Sequence, residues 1–177
     1  MPSVYIVLTQ TGTLFSRAIR KYTKDPYNHA SIAFDSSLEV MYSFGRRRRY
    51  NILNAGFIQE NFDSGLFPYF PDARCCVLEV PVAEAEYEVM LETVAQFQSN
   101  SPCYRYNLLG IVSYPMQLGL ARRNHFFCSQ FVSYVLSKTD FWNVIPELTR
   151  PMDFLQLPQK RVIYEGLVTD YKLTRSD

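Results

Sequence analysis

The stretch "NHFFCSQFVSYVLSK", residues 124–138, carries the strongest pattern in the chain. Its apolar residues recur at helical spacing, which predicts an amphipathic helix with one buried stripe. That stripe consists of Phe127, Phe131, Val132, Val135 and Leu136. Cys128 stands in the first turn of this helix and is followed by polar Ser129 and Gln130. A thiol at this place is either inert core filling or a nucleophile, and the rest of the chain has to decide between the two.

The first turn of a helix is a favourable place for an ionised thiol. Its backbone N–H groups have no partner within the helix, and the positive end of the helix dipole lies there, so both stabilise a thiolate. The same N–H groups could hold the oxyanion of a tetrahedral intermediate. Free cysteine is also among the most buried residue types, so the position of Cys128 leaves both roles open.

A thiol nucleophile needs a base, and the chain has two histidines. His29 opens the alternating run "HASIAFD", in which His29, Ser31 and Ala33 share one strand face. Small Ser31 and Ala33 leave room for a helix end carrying Cys128, so His29 is the predicted base. His125 lies three residues before Cys128 and is the alternative, but the intervening phenylalanines would turn the backbone away.

The composition indicates a single domain over residues 1–177 with an ordinary globular core. Hydrophobic residues make up 47% of the chain and charged residues 20%. A net charge of +1 argues against a dedicated nucleic-acid binder, which normally shows a strongly basic field. The four cysteines have no metal-ligand spacing, so neither a metal nor a cofactor is predicted.

The start of the chain, "MPSVYIVLTQTG", lacks the basic region of a signal peptide, and its apolar run has the length of a strand. No run approaches the roughly 18 apolar residues of a membrane span. These features predict a cytoplasmic protein with reduced thiols. The sequence does not indicate an oligomeric state.

Strand and helix patterns alternate along the chain and predict an α+β fold. Strands are expected in "SVYIVLTQ", in "HASIAFD" and "LEVMYSF" as a hairpin, in "RCCVLEVPV", where Pro81 marks an end or an edge, and as a closing pair in "RVIYEGLVTDYKL". Helices are expected in "TGTLFSRAIRKYT", "AEAEYEVMLETVAQFQSN", "YRYNLLGIVSYPMQLGL" and "LTRPMDFLQL". Residues 45–72 are interpreted as loop-rich because Gly, Pro, Asn and Asp recur there.

Three blocks together resemble a known family: "NHASIAFD", "FFCSQFVSYVL" and "LTRPMDF". Their order is similar to that of the circularly permuted branch of papain-like hydrolases related to the NlpC-type cell-wall endopeptidases, in which the histidine strand precedes the cysteine helix. The resemblance implies a small antiparallel sheet or open barrel packed against the helix that carries Cys128. It also implies that Cys128 attacks an acyl carbon while His29 takes the thiol proton, and that Tyr164 in "VIYEG" lines the substrate site.

The family usually carries a third polar residue on the strand after the histidine strand. Here Ser43 is the nearest candidate to orient His29, and Glu39 lies closer to the turn. Strand parity decides the question, because a register with residue 31 opposite residue 43 puts Ser43 on the His29 face. A register with residue 33 opposite residue 40 turns it away.

The run from Arg46 to Arg49 follows the same strand. It is either a solvated loop or an anionic recognition patch, since guanidinium forks suit carboxylate and phosphate. Four aromatic residues could line a groove, although core packing is the simpler role for most of them. They are Tyr104, Tyr106, Tyr114 and Trp142.

The resulting hypothesis is a cysteine hydrolase that cleaves an amide or ester of a small peptide or an amino-acid-containing substrate through a thioester. Two alternatives stay open. One is a lipid acyltransferase or thioesterase acting at a membrane surface, which the arginine run and the aromatic loop "GLFPYF" would serve. The other is a non-catalytic binding protein that retains the fold.

Overall fold

The computed structural model describes residues 1–10, 25–48, 51–107 and 122–174. The strands are β1 (Ser3–Gln10), β2 (His29–Ala33), β3 (Met41–Arg48), β4 (Asn51–Glu60), β5 (Arg74–Pro81), β6 (Arg105–Tyr106), β7 (His125–Phe126) and β8 (Arg161–Leu167). The helices are α1 (Glu84–Ser99), α2 (Cys128–Leu136) and α3 (Val168–Thr174). Short 3-10 helices lie at Phe67–Tyr69, Ser101–Cys103, Pro146–Leu148 and Pro151–Gln156.

Six strands form one antiparallel sheet in the order β4-β3-β2-β1-β5-β8. The sheet is open, with β4 and β8 at its edges, so the α+β class and the antiparallel sheet are confirmed and the sheet is not a closed barrel. Strands β6 and β7 form a separate two-stranded parallel pair.

Because side chains alternate along a strand, the sheet has two apolar faces, and both are covered. Ile6, Ile32 and Phe44 belong to the face that packs against α1 and α2. Val7, Met41 and Val77 belong to the opposite face, which α3 and the segment after β4 cover through Tyr171 and Phe62. The helix with Cys128 therefore lies across β2 and β3, the two strands that matter for the site.

Most predicted elements are present. Strand β1, the β2–β3 hairpin, α1 and α2 lie where their patterns placed them, and the predicted helix at Pro151 is the 3-10 helix Pro151–Gln156. Strand β5 ends at Pro81, as one reading of that proline required, although β5 is an interior strand between β1 and β8. The predicted helix over 11–23 lies outside the described residues.

Three local predictions were wrong. Residues 45–72 are not all loop, because β3 extends to Arg48 and β4 covers Asn51–Glu60, where Asn and Gly obscure the strand pattern that buries Ala55 and Phe57. The closing segment is one strand followed by α3, not a strand pair, since Val168 and Tyr171 bury at helical spacing. The predicted helix over 104–120 was wrong at its start, where β6 lies, and residues 108–120 of it lie outside the described residues.

A candidate active site at Cys128, His29 and Glu60

Helix α2 begins at Cys128, and its polar neighbours explain how that start is held. The helix is preceded by extended Phe127, whose N–H donates to the side chain of Gln130 at 3.4 Å. The Ser129 hydroxyl donates to the Thr149 carbonyl oxygen at 2.7 Å. These buried hydrogen bonds fix the first turn of α2, so the thiol of Cys128 sits at the positive end of the helix in a defined position.

The thiol lies where β2 and β3 separate. The register between these strands contains one pair, Ile32 with Tyr42, so no ladder is formed at the His29 end. There the Ala30 N–H points to the Cys128 sulfur, while the Ala30 carbonyl oxygen accepts a hydrogen bond from the Ser43 hydroxyl at 2.7 Å. Helix α2 covers the Ile32 face of the sheet, whereas the His29 side chain belongs to the opposite face of β2. The missing ladder between β2 and β3 at this point therefore lets the Cys128 sulfur of α2 reach the imidazole ring.

His29 links the thiol to a carboxylate. Its Nε2 lies 2.8 Å from Oε1 of Glu60, a residue at the end of β4. The Ser31 hydroxyl donates to the same carboxylate oxygen. Since Nε2 is paired with Glu60, Nδ1 is the ring nitrogen left for the hydrogen bond between His29 and Cys128. The arrangement is a relay of three side chains: thiol, imidazole and carboxylate.

The electrostatics of the relay favour charged side chains despite their burial. Burial acts to lower the pKa of His29, but the charge of Glu60 and the hydrogen bonds to Cys128 and Glu60 raise it well above the usual value. Burial also acts to raise the pKa of Glu60, and the charge and hydrogen bond of His29 lower it. With side chains 21% and 15% exposed, His29 and Glu60 form a largely enclosed ion pair.

Cys128 itself is 5% exposed, and burial alone would raise the pKa of its thiol. The hydrogen bond and positive charge of His29 outweigh this, together with the backbone N–H groups of Ala30 and Ser129, and the pKa of Cys128 is lowered. The site thus supports a thiolate beside an imidazolium, which is the reactive form of a cysteine nucleophile.

Tyr106 of β6 closes another side of the sulfur. Burial, the charge of Cys128 and a hydrogen bond to its sulfur raise the pKa of Tyr106 well above the usual value. The phenol is therefore protonated, and its O–H donates toward Cys128. A neutral donor beside a nucleophile is also placed to bind negative charge that develops on the atom attacked.

Two predicted site residues have other roles. Ser43 lies on the His29 face, because the Ile32–Tyr42 pair puts residue 31 opposite residue 43. Its hydroxyl, however, binds the Ala30 carbonyl, and Glu60 occupies the orienting position beside the imidazole. The prediction of Ser43 as orienter is therefore corrected to Glu60.

The expectation that Tyr164 lines the site is also corrected. Tyr164 lies on β8 at the far edge of the sheet, and two strands separate β8 from β2, so it is roughly 14 Å from the His29 strand at ordinary strand spacing. Its hydroxyl donates to the Leu167 carbonyl at 2.7 Å, and its ring packs against Tyr171 with centroids 4.9 Å apart.

The other candidate residues that the structure describes take no part in the relay. His125, the alternative base, holds the Arg123 carbonyl through Nδ1 at 2.8 Å. Glu39 is exposed at the β2–β3 turn. Tyr104 stacks on Phe97 and also lines a cavity beside α1, and Trp142 packs against Phe154, so both are partly buried residues at the edge of the core. Tyr114 lies outside the described residues.

Glu60 and Tyr106 are the residues of the site to which sequence reasoning gave no catalytic role. Glu60 ends a strand that was interpreted as loop, and the signal available was the alternation of "AGFIQE" after the β3 pattern. Tyr106 lies in a two-residue strand, too short for any periodicity to identify.

Comparison with models of known families, with curated proteins and with solved structures gave no match to this chain. The likeness to permuted papain-like hydrolases therefore stands on the sequence blocks alone. Within the described residues, no helix combines the length and hydrophobicity needed to cross a bilayer. No group of three or more potential ligand side chains is placed to hold a metal ion in the same part of the chain.

Proposed function

We propose that this protein is a cysteine hydrolase that cleaves an amide or ester of a small peptide or amino-acid-containing substrate through a thioester intermediate. The observation that carries the proposal is the His29–Glu60 pair beside Cys128, since the hydrogen bond and charge of His29 lower the pKa of the thiol at the start of α2. The order of the histidine strand and the cysteine helix supports the same reading.

The first step is acylation of the sulfur. The Cys128 thiolate attacks the acyl carbon and forms a C–S bond, while the carbonyl oxygen takes up negative charge. The Ser129 N–H and the Tyr106 hydroxyl are the donors available to that oxygen. The imidazolium of His29 then gives its proton to the departing amine or alkoxide as the tetrahedral intermediate breaks.

The second step is hydrolysis of the thioester. Neutral His29 takes a proton from a water molecule, the water oxygen attacks the acyl carbon, and the Cys128 thiolate leaves with the carboxylic acid released. Glu60 holds the imidazole in place and stabilises its charged form in both steps. No redox partner or metal is required by this sequence of steps.

The test is best made in a Cys103→Ser background. Cys103 is an exposed free thiol that would react nonspecifically, whereas Cys75 and Cys76 are buried, with burial raising the pKa of their thiols to about 12 and about 11. Iodoacetamide at about pH 6 should modify Cys128 faster than a model thiol, since the thiolate is the reacting form. Mass spectrometry of the peptide identifies the modified residue.

Turnover is tested with a panel of p-nitrophenyl esters and amino-acid p-nitroanilides, followed by mass spectrometry of the acylated protein. The hydrolase is expected to acylate at Cys128 and to release p-nitrophenol or p-nitroaniline, and Cys128→Ala should abolish both. A Cys128 that reacts no faster than a model thiol and carries no acyl group would overturn the proposal.

A further inference from the structure

Arg46 stands on β3 beside the candidate site. It lies two residues beyond Phe44, so its side chain belongs to the face of β3 that α2 covers. The Phe44 ring packs on Phe126 and Phe131 with centroids 5.3 and 5.4 Å apart, which brings this part of β3 against the start of α2. The charge of Arg46 acts on the hydroxyl of Tyr106, the same hydroxyl that contacts the Cys128 sulfur.

This guanidinium is half-buried and has no carboxylate partner among the described residues. The ion pairs found there are His29–Glu60, Arg150–Asp153 and Arg161–Glu79. Of the stretches outside the description, 11–24, 49–50 and 108–121 contain neither Asp nor Glu, and 175–177 contains Asp177. Glu60, the carboxylate of the site, is already paired with His29.

The next residue provides a contrast. Arg47 is exposed and donates from its guanidinium to the Ser101 carbonyl at 2.9 Å. Arg47 therefore ties β3 to the loop after α1. Arg46 has no such contact within the part of the chain that the structure describes, and a partly buried cation without a counter-charge is costly unless an anion is bound beside it.

We propose that Arg46 is a specificity residue that binds a carboxylate of the substrate, next to the acyl group that Cys128 attacks. The substrate class is a peptide or amino-acid amide or ester with a carboxylate close to the scissile bond. The planar guanidinium fork suits such a group, because it can donate two parallel hydrogen bonds to the two carboxylate oxygens. This inference rests on the proposed function and narrows it.

Two alkylating reagents test the proposal without a known substrate. Iodoacetate carries a negatively charged carboxylate, and iodoacetamide carries a neutral amide in its place. A cation near the Cys128 sulfur therefore raises the ratio of the iodoacetate rate constant to the iodoacetamide rate constant. The imidazolium of His29 favours iodoacetate in every variant, and the comparison is therefore the change in that ratio on mutation. It is measured in the Cys103→Ser background at moderate salt, where distant charges are screened.

Arg46→Gln is expected to lower the iodoacetate to iodoacetamide ratio by about tenfold, the effect of a nearby charge in a partly enclosed site. Arg47→Gln is the matched control: it removes the same charge one residue away and should leave the ratio within about twofold of wild type, because exposed charges are screened. Arg46→Lys keeps the charge without the fork, and it should lose only about twofold to threefold.

The outcomes separate this proposal from the one on which it rests. An Arg46→Gln ratio equal to wild type, with the iodoacetamide rate retained, overturns the role of Arg46 and leaves the nucleophile intact. An iodoacetamide rate no faster than a model thiol in the wild type overturns the hydrolase instead. If Arg46→Gln does not fold, the Arg46→Lys variant decides, and an increase in its ratio above wild type contradicts the proposal.

Discussion

Replacing Glu60 by glutamine should strongly reduce the population of the thiolate–imidazolium pair while leaving the positions of the side chains unchanged. Glutamine has nearly the size of glutamate and keeps an oxygen that can accept from Nε2 of His29, now 2.8 Å from the carboxylate. What is lost is the negative charge, which is the leading cause that raises the pKa of His29 against burial. The pKa of His29 is therefore expected to fall and that of Cys128 to rise.

The size of the effect follows from the geometry of the pair. With charge centres about 4 Å apart and an effective dielectric constant of about 20, the attraction is about 4 kcal/mol, or about three pKa units. Since the attraction between two charges in a protein varies by about a factor of 2 to 3 with its surroundings, we expect a loss of at least one unit. At about pH 6 the thiolate–imidazolium population, and with it the iodoacetamide rate at Cys128, should fall at least about tenfold.

The assay is the rate of alkylation against pH for wild type and Glu60→Gln, both carrying Cys103→Ser. The wild-type curve should rise at a pH below that of a model thiol, and the variant curve should be displaced to higher pH. Glu79→Gln is the matched control, because Glu79 is a carboxylate of the same sheet that pairs with Arg161 outside the site. If the curves of Glu60→Gln and wild type coincide, Glu60 does not tune the thiol and the reasoning from the ion pair is wrong.

Three further predictions concern Tyr106, Ser43 and Cys128. Tyr106→Phe should lower kcat/KM for an ester about a hundredfold by removing a donor to the oxyanion, yet change the iodoacetamide rate only a few-fold, because alkylation develops no oxyanion. Ser43→Ala should cost about 1 to 3 kcal/mol of unfolding free energy in urea melts, since the buried Ala30 carbonyl loses its donor, while the pH profile of alkylation stays in place. Cys128→Ala should make stability fall as pH rises above about 7, by up to about 1.4 kcal/mol per pH unit, because the charge and hydrogen bond of Glu60 still hold on native His29 a proton that the unfolded state has lost. In the wild type the unfolded Cys128 thiol holds a proton that the native thiolate lacks, which offsets the effect of His29, so the wild-type slope in urea melts should be shallower than that of the variant. Buried Cys75 and Cys76 contribute equally to both profiles, and a wild-type slope as steep as that of the variant would contradict the paired charge.

The sequence determined the local parts of the site, because their signals lie within a few residues. Helical spacing after Phe127 places the Cys128 helix, and period-two alternation places His29 and Ser31 on one strand face. Strands β2 and β3 are joined by residues 34–40, so their hairpin is likewise a local feature. These patterns predict each element by itself, but the expectation that the helix end packs on the face of His29, Ser31 and Ala33 was wrong, because α2 packs on the face of Ala30 and Ile32.

The partners of Cys128 and His29 were decided by tertiary structure. Glu60 is 31 residues from His29 in sequence, and it reaches the imidazole only because β4 pairs with β3 in a register that no local pattern records. Tyr106 lies near Cys128 because its two-residue strand β6 pairs with β7. The β2–β3 register contains only the pair Ile32–Tyr42, and α2 packs across both strands, which brings Cys128 to the imidazole. Periodicity in the sequence indicates which face of a strand or helix a side chain lies on. Strand register and helix docking depend on many contacts between distant parts of the chain, so the sequence pattern alone could not identify Glu60 as the partner of His29.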